Sequence, residues 1–184
     1  LDAGNLDILA GLGDVAFQAG DPRTALRAQQ VVLERRRATS APADGPVLKA
    51  RLALAQSCFL LQDYASARDQ FEAILAAREA TLPPDTPIIQ FTRGNLAAVL
   101  KQMGELDKAR ALEEQALAVL TRIRPPDDPD LLQTRHNHAT TLEYQGDTRR
   151  AREILTEVVA LAEGVLPPDD QNLQYYRHSL ARTM

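Results

Sequence analysis

Residues 86–124 read TPIIQFTRGNLAAVLKQMGELDKARALEEQALAVLTRIR. Leu96, Val99, Leu100 and Met103 fall at helical spacing, and Gly104 then breaks the pattern. A second helical run follows with Leu106, Ala109, Leu112, Ala116, Leu117 and Leu120. Pro125 and Pro126 end it, because proline lacks the amide donor that a helix interior requires. The stretch is helix, tight turn, helix and proline loop.

The same unit echoes through the chain at an interval of 42 residues. Gly20, Gln62, Gly104 and Gly146 form one column, and Ala25, Ala67, Ala109 and Ala151 another. Pro42, Pro84, Pro126 and Pro168 keep the same register. So do Arg51, Arg93, Arg135 and Arg177. A fixed period of this size marks a stacked repeat, in which each unit buries its apolar face against its neighbours. The pattern predicts four helix pairs, near 2–40, 44–82, 86–124 and 128–166, and a last single helix near 170–183, in one array over 1–184.

Start signals recur in step. Asp2, Asp44, Thr86, Asp128 and Asp170 stand where the first helix of each unit begins. Asp21, Asp63, Glu105 and Asp147 stand where the second begins. Each side chain can accept from the free amides of a first turn, and an acidic group also suits the positive helix end. Pro87 and Pro129 sit at the first helical position, where proline is tolerated. Small residues recur where helices must touch: Gly13, Ala55, Ala97, Ala139 and Ala181 on the first helices, and the Ala25 column on the second. On the last helix Leu173, Tyr176, Leu180 and Met184 are expected to face inward. Its polar residues, among them Gln171, Asn172, Gln174, His178, Arg182 and Thr183, supply the soluble end face that a solenoid needs.

Composition excludes several classes. Aromatics make up 4% and Trp is absent, so Leu and Ala must fill the core, which favours helix. The net charge of -4 lacks the basic excess of a nucleic-acid binder. The single cysteine, Cys58, permits no internal disulfide and fits a reducing, cytoplasmic setting. No apolar run reaches the roughly 18 residues of a membrane span. The chain begins with Leu1, which points to an excised fragment of a longer protein with earlier residues missing.

These residues resemble tetratricopeptide repeats. The carrying strings are Arg93-Gly94-Asn95-Leu96-Ala97, Gly104-Glu105-Leu106-Asp107-Lys108-Ala109 and Leu82-Pro83-Pro84-Asp85-Thr86-Pro87. The common form repeats at about 34 residues; the longer interval here is similar to the kinesin-light-chain type. Similar arginine-bearing arrays occur in bacterial NB-ARC-type signalling proteins. The resemblance covers nearly the whole chain and implies an all-α fold, a right-handed α-solenoid of antiparallel helix pairs with a C-terminal capping helix. Gln62 in place of the turn glycine, His138 in a column of Leu12, Leu54, Leu96 and Leu180, and Ala41-Pro42-Ala43-Asp44 in place of Pro-Pro-Asp depart from the pattern.

The resemblance also implies that first helices line a concave groove in which ligand peptides lie. It assigns Asn95 and Asn137 to that groove, in a column that holds Gly11 and Ala53 in the earlier units. A carboxamide donates and accepts at once, so it can hold a peptide backbone without reading its sequence; alternatively these asparagines bond neighbouring helices. Arg51, Arg93, Arg135 and Arg177 lie two residues earlier, about 200° around the helix. They either bridge adjacent helices to acidic groups or form a cationic ladder for an acidic peptide or phosphate. Helical spacing adds His136 and His178, then Phe91 and Gln133 in a column with Lys49 and Tyr175. It adds Lys101 in a column with Phe17, Phe59 and Glu143. The lysine-and-arginine pattern of a carboxylate clamp for chaperone tails is absent.

Catalytic and metal chemistry finds no foothold in the sequence. His136 and His138 point to nearly opposite sides of one helix, so a single ion cannot take both. Cys58 shares a column with Ala16, Leu100, Leu142 and Met184, an apolar position. No phosphate-cradling glycine loop or nucleophile elbow occurs. The paired aspartates at 127–128 and 169–170 read as helix caps. The expected function is a non-enzymatic scaffold, without cofactor, that binds a peptide or helix in its groove. A regulatory sensor segment of a larger bacterial signalling or effector protein, acting on a neighbouring domain, is the alternative. A self-associating scaffold is a third.

Overall fold

The computed structural model describes residues 3–184, and the chain divides into two compact units, residues 1–84 and 85–184. The first holds α1 (Ala3–Gln18), α2 (Pro22–Thr39), α3 (Gly45–Leu60) and α4 (Tyr64–Thr81). The second holds α5 (Pro87–Gln102), α6 (Leu106–Ile123), α7 (Pro129–Tyr144), α8 (Thr148–Val165) and α9 (Gln171–Arg182). No strand occurs among the described residues. Within each unit consecutive helices pack against one another, and α5 also touches α7. This is the all-α solenoid arrangement of antiparallel helix pairs.

One turn is built four times. Gly20, Gln62, Gly104 and Gly146 all have positive φ, at 78°, 61°, 77° and 89°. The next residue's N–H then reaches back five residues: Asp21 to the Ala16 carbonyl, Asp63 to Cys58, Glu105 to Leu100 and Asp147 to Leu142, at 2.9–3.0 Å. A left-handed residue followed by this bond closes a helix end. The same aspartates open the next helix, since the Asp21, Asp63 and Asp147 carboxylates accept from the amides of Thr24, Ser66 and Arg150. Glu105 makes no such cap; it pairs with Lys108 instead, at 2.5 Å. Its extra methylene carries the carboxylate past the first-turn amides.

Gln62 is the one non-glycine residue at positive φ among the described residues. A side chain there is strained by about 1–2 kcal/mol, part of which glycine forfeits through its freer unfolded state. Gln62→Gly is therefore expected to stabilise the chain by about 0.5–1 kcal/mol. The check is a raised urea midpoint at unchanged m.

First-helix caps are less uniform. Asp128 accepts from Asp130 and Leu131, and Asp170 from Asn172 and Leu173. Asp44 and Thr86 cap nothing with their side chains. The Asp44 carboxylate turns back into its own loop and accepts from Ala41 N–H at 2.9 Å. Asp2 lies outside the described residues.

Both small-residue columns sit inside. Ala25, Ala67, Ala109 and Ala151 are fully buried, as are Ala55, Ala97 and Ala139. A Cβ on Gly13 would stand 3.3 Å from the Ala28 Cβ, so α1 and α2 approach closely there. Ala181 departs from its column and is exposed, because no second helix packs on α9 among the described residues. Leu173 and Tyr176 join Leu132, Val158, Val159 and Ala162 in the core of α7, α8 and α9, with Leu180 packed against it. Met184 does not face inward: α9 stops at Arg182, so Met184 leaves the helical register and is exposed. Thr183 is buried instead, its hydroxyl donating to the Leu180 carbonyl at 2.7 Å.

Candidate functional site: a groove between α5 and α7

In the second unit α5 and α7 are the first helices of their pairs. A cavity of about 170 Å³ opens between them. Phe91, Gly94 and Asn95 line it from α5, and Gln133, Thr134 and Asn137 from α7. Leu120 of α6 also contributes to the lining. Phe91 is exposed, while both asparagines are half-buried. A Cβ at Gly94 would meet no heavy atom within 4 Å, so the missing side chain widens the groove rather than admitting a neighbour.

The α7 wall is held in place by a relay. The buried Tyr176 hydroxyl donates to Gln133 Oε1 at 3.3 Å, and Gln133 Nε2 donates to Asn137 Oδ1 at 3.0 Å. Burial pushes the Tyr176 phenol up to about 12, so it remains a donor. The main chain beneath Asn137 is braced too. Its carbonyl accepts from Thr140 Oγ1 at 2.7 Å, Thr141 Oγ1 at 3.1 Å and Lys101 Nζ at 3.4 Å. Asn95 stands across the groove with no protein hydrogen bond to its carboxamide among the described residues.

Four of the sequence-derived candidates therefore meet in one place: Phe91, Asn95, Gln133 and Asn137. The others do not. His136 is a correction. It is fully buried, its Nε2 lies 2.8 Å from Ser179 Oγ, and Tyr175 and Tyr176 cover its ring. It packs α7 against α9 and no ligand in the groove can touch it. That burial pushes its imidazole down to about 4, so it is neutral near pH 7. The signal was in the sequence: Ser179 falls in the asparagine column, opposite an adjacent tyrosine pair. His178 is exposed on α9, outside the groove lining. Lys101 is likewise a strut and not an open cation, since its ammonium donates to Thr140 Oγ1 at 2.8 Å. Burial lowers its pKa against the opposing pull of Glu113.

The arginines are engaged with protein. Arg51 of the first unit donates from Nη1 to Gln70 Oε1 at 2.8 Å, bridging α3 to α4. Arg93 donates to Gln90 on its own helix at 2.9 Å. Arg135 meets Glu157 of α8 at 3.2 Å, and Arg177 meets Glu163 of α8 at 2.7 Å. None of the four lines the α5–α7 groove. A set of amide groups and an exposed ring can hold a neutral backbone and an apolar side chain. Cys58 is buried in the first unit, and that burial, helped by Asp63, pushes its thiol up to about 11. The two histidines of the His-x-His pair diverge as helix geometry requires, His136 toward α9 and His138 toward Glu113 of α6. Among the described residues no group of three or more His, Cys, Asp or Glu is placed to hold a metal ion. No helix there is long and apolar enough to cross a membrane.

Two tetratricopeptide-repeat family models match the sequence, one over residues 10–81 and the other over residues 85–164. The chain is a tetratricopeptide-repeat protein. Its repeat array is similar to the kinesin-light-chain TPR-like repeats of Podosopora anserina, with TM-score 0.83 and 22% identity over 97% of this chain and 84% of that one. It is also similar to BtubC (BKLC) of P. vanneervenii, with TM-score 0.78 and 17% identity over 95% and 70%. The apo form of RapI shares the fold at TM-score 0.75 and 14% identity, over 94% of this chain and 46% of that one. None of the curated proteins matches the sequence. At these identities the likeness speaks for the fold. Tetratricopeptide arrays build extended concave interaction surfaces.

Proposed function

We propose that this tetratricopeptide-repeat chain is a protein-interaction scaffold, and that the α5–α7 groove holds an extended segment of its partner. One observation carries the reading: both asparagines, Phe91 and Gln133 line a single groove. Asn95 and Asn137 would bond the partner's backbone, and Phe91 would cover one of its apolar side chains. The relay from Tyr176 through Gln133 holds Asn137 in its rotamer before the ligand arrives, which spares part of the ordering cost of binding. The four helix pairs and α9 act as one array in this proposal, within the cytoplasm and without a cofactor.

Each backbone hydrogen bond contributes about 0.5–1.5 kcal/mol. Asn95→Ala with Asn137→Ala is therefore expected to weaken partner binding roughly 10- to 100-fold. Ala53 already occupies this column in the first unit, so alanine suits the helix there. The check is pull-down of the partner by wild type and by the double variant. Equal recovery by both removes the asparagines from the binding surface.

A second reading makes the chain a regulatory segment of a longer signalling or effector protein that acts on a neighbouring domain. In its favour, the match to RapI spans 46% of that longer chain. Under that reading the groove ligand is part of the parent protein.

A further inference from the structure

Three columns of the repeat bring titratable side chains together at one joint. Lys101 stands in the column of Phe17, Phe59 and Glu143, Glu113 in that of Gln29, Phe71 and Leu155, and His138 in that of Leu54 and Leu96. They come from α5, α6 and α7 and are brought together beneath Asn137. Glu113 is 1% exposed and His138 5%. Glu113 Oε1 accepts from Thr141 Oγ1 at 2.9 Å. Its other oxygen, Oε2, faces His138 Nδ1 at 3.6 Å, beyond hydrogen-bond length, and neither atom has a hydrogen-bond partner. Orphaned polar atoms this deeply buried are costly, and a facing pair of them leaves room for a second arrangement.

The second arrangement is written in the hydrogen bonds of Thr141. Its hydroxyl has one proton and two acceptors, Glu113 Oε1 at 2.9 Å and the Asn137 carbonyl at 3.1 Å. We propose that His138 is a proton-sensitive trigger for the α5–α7 groove. When His138 takes up a proton, the Glu113 carboxylate turns to the imidazolium. Thr141 then donates its hydrogen bond to the Asn137 carbonyl alone, and Asn137 is re-seated in the groove wall. The value of this switch to the protein rests on the groove reading given above; the switch itself does not.

The proton has a route. His138 lines an open groove of about 560 Å³, formed with residues of α6 and the start of α8. Glu114 and Arg122 of α6 and Arg150 of α8 line the same groove. The charged groups set around the imidazole are thus Glu113, Glu114 and Arg122 from α6, Arg150 from α8, and Lys101 from α5 acting through Glu113. The neighbouring His136 is not a rival trigger, since burial holds its imidazole neutral down to about 4.

The test follows the Asn137 and Thr141 amide signals and the His138 ring by NMR as the pH is lowered stepwise. The Asn137 backbone and carboxamide signals are expected to shift with the same midpoint as the His138 ring. His138→Leu restores the column residue and should flatten them. Thr141→Val should leave the His138 ring titrating while the Asn137 signals no longer follow it. Asn137 signals that ignore the His138 midpoint, or that follow pH unchanged in either variant, overturn the proposal. No peptide is needed, so the outcome is independent of whether a groove ligand is found.

Discussion

Glu113→Ala is expected to lower the stability of the chain by about 3 kcal/mol, read as a drop in the urea midpoint. The carboxylate is almost wholly buried and is the counter-charge nearest in effect to the half-buried Lys101 ammonium. Removing it leaves a cation without compensation and deprives Thr141 of an acceptor. It also leaves a gap where four heavy atoms stood. The charges need one another more than the fold needs either. Glu113→Leu with Lys101→Met is therefore expected to recover most of the loss, because an apolar replacement of a whole buried ionic set is often neutral. The repeat itself supports this, with Leu155 in the first column and Phe59 in the second. A double variant as unstable as Glu113→Ala would show that shape, not charge, governs this joint.

Leu155→Ala is expected to be as severe, at about 2–5 kcal/mol. Leu155 is fully buried among Ala139, Leu142 and Ala151, with Ile154 and Leu180 packed around them. Two of its neighbours are alanines that cannot reach into a vacated space. The surrounding helices meet through their small residues and have little freedom to collapse, so most of the cavity should persist. The same change at Leu117, which is only half-buried, should cost clearly less. Urea denaturation of the two variants side by side is the check; equal losses would mean that the α7–α8 core relaxes freely.

The helices and their turns were legible in the sequence because both are written in local chemistry. Gly104 and its column mates mark a backbone conformation that other residues resist, and Pro87 and Pro129 mark helix starts whatever the surroundings. The groove was legible only in part. Asn95, Asn137, Phe91 and Gln133 could be grouped because register alone sets the face on which they lie. His136 shares that register argument and fails it, since the exposure of its face depends on Tyr175 and Tyr176 arriving from α9. Lys101 fails for the same reason, its reach to Thr140 and Asn137 being a matter of how α5 meets α7. Glu113 escaped notice altogether. Within its own helix it looks like one more exposed acid beside Glu114, and only its place in a column with Phe71 and Leu155 betrays an inward position.

In three of the four tight turns a single aspartate both finishes one helix with its N–H and begins the next with its carboxylate. Inserting or deleting even one amino acid at such a junction would undo two helix ends together. Length variation should therefore be tolerated in the proline-rich connectors and nowhere inside a hairpin. Over evolutionary time each hairpin would behave as an indivisible cassette, free to change its side chains but not its span.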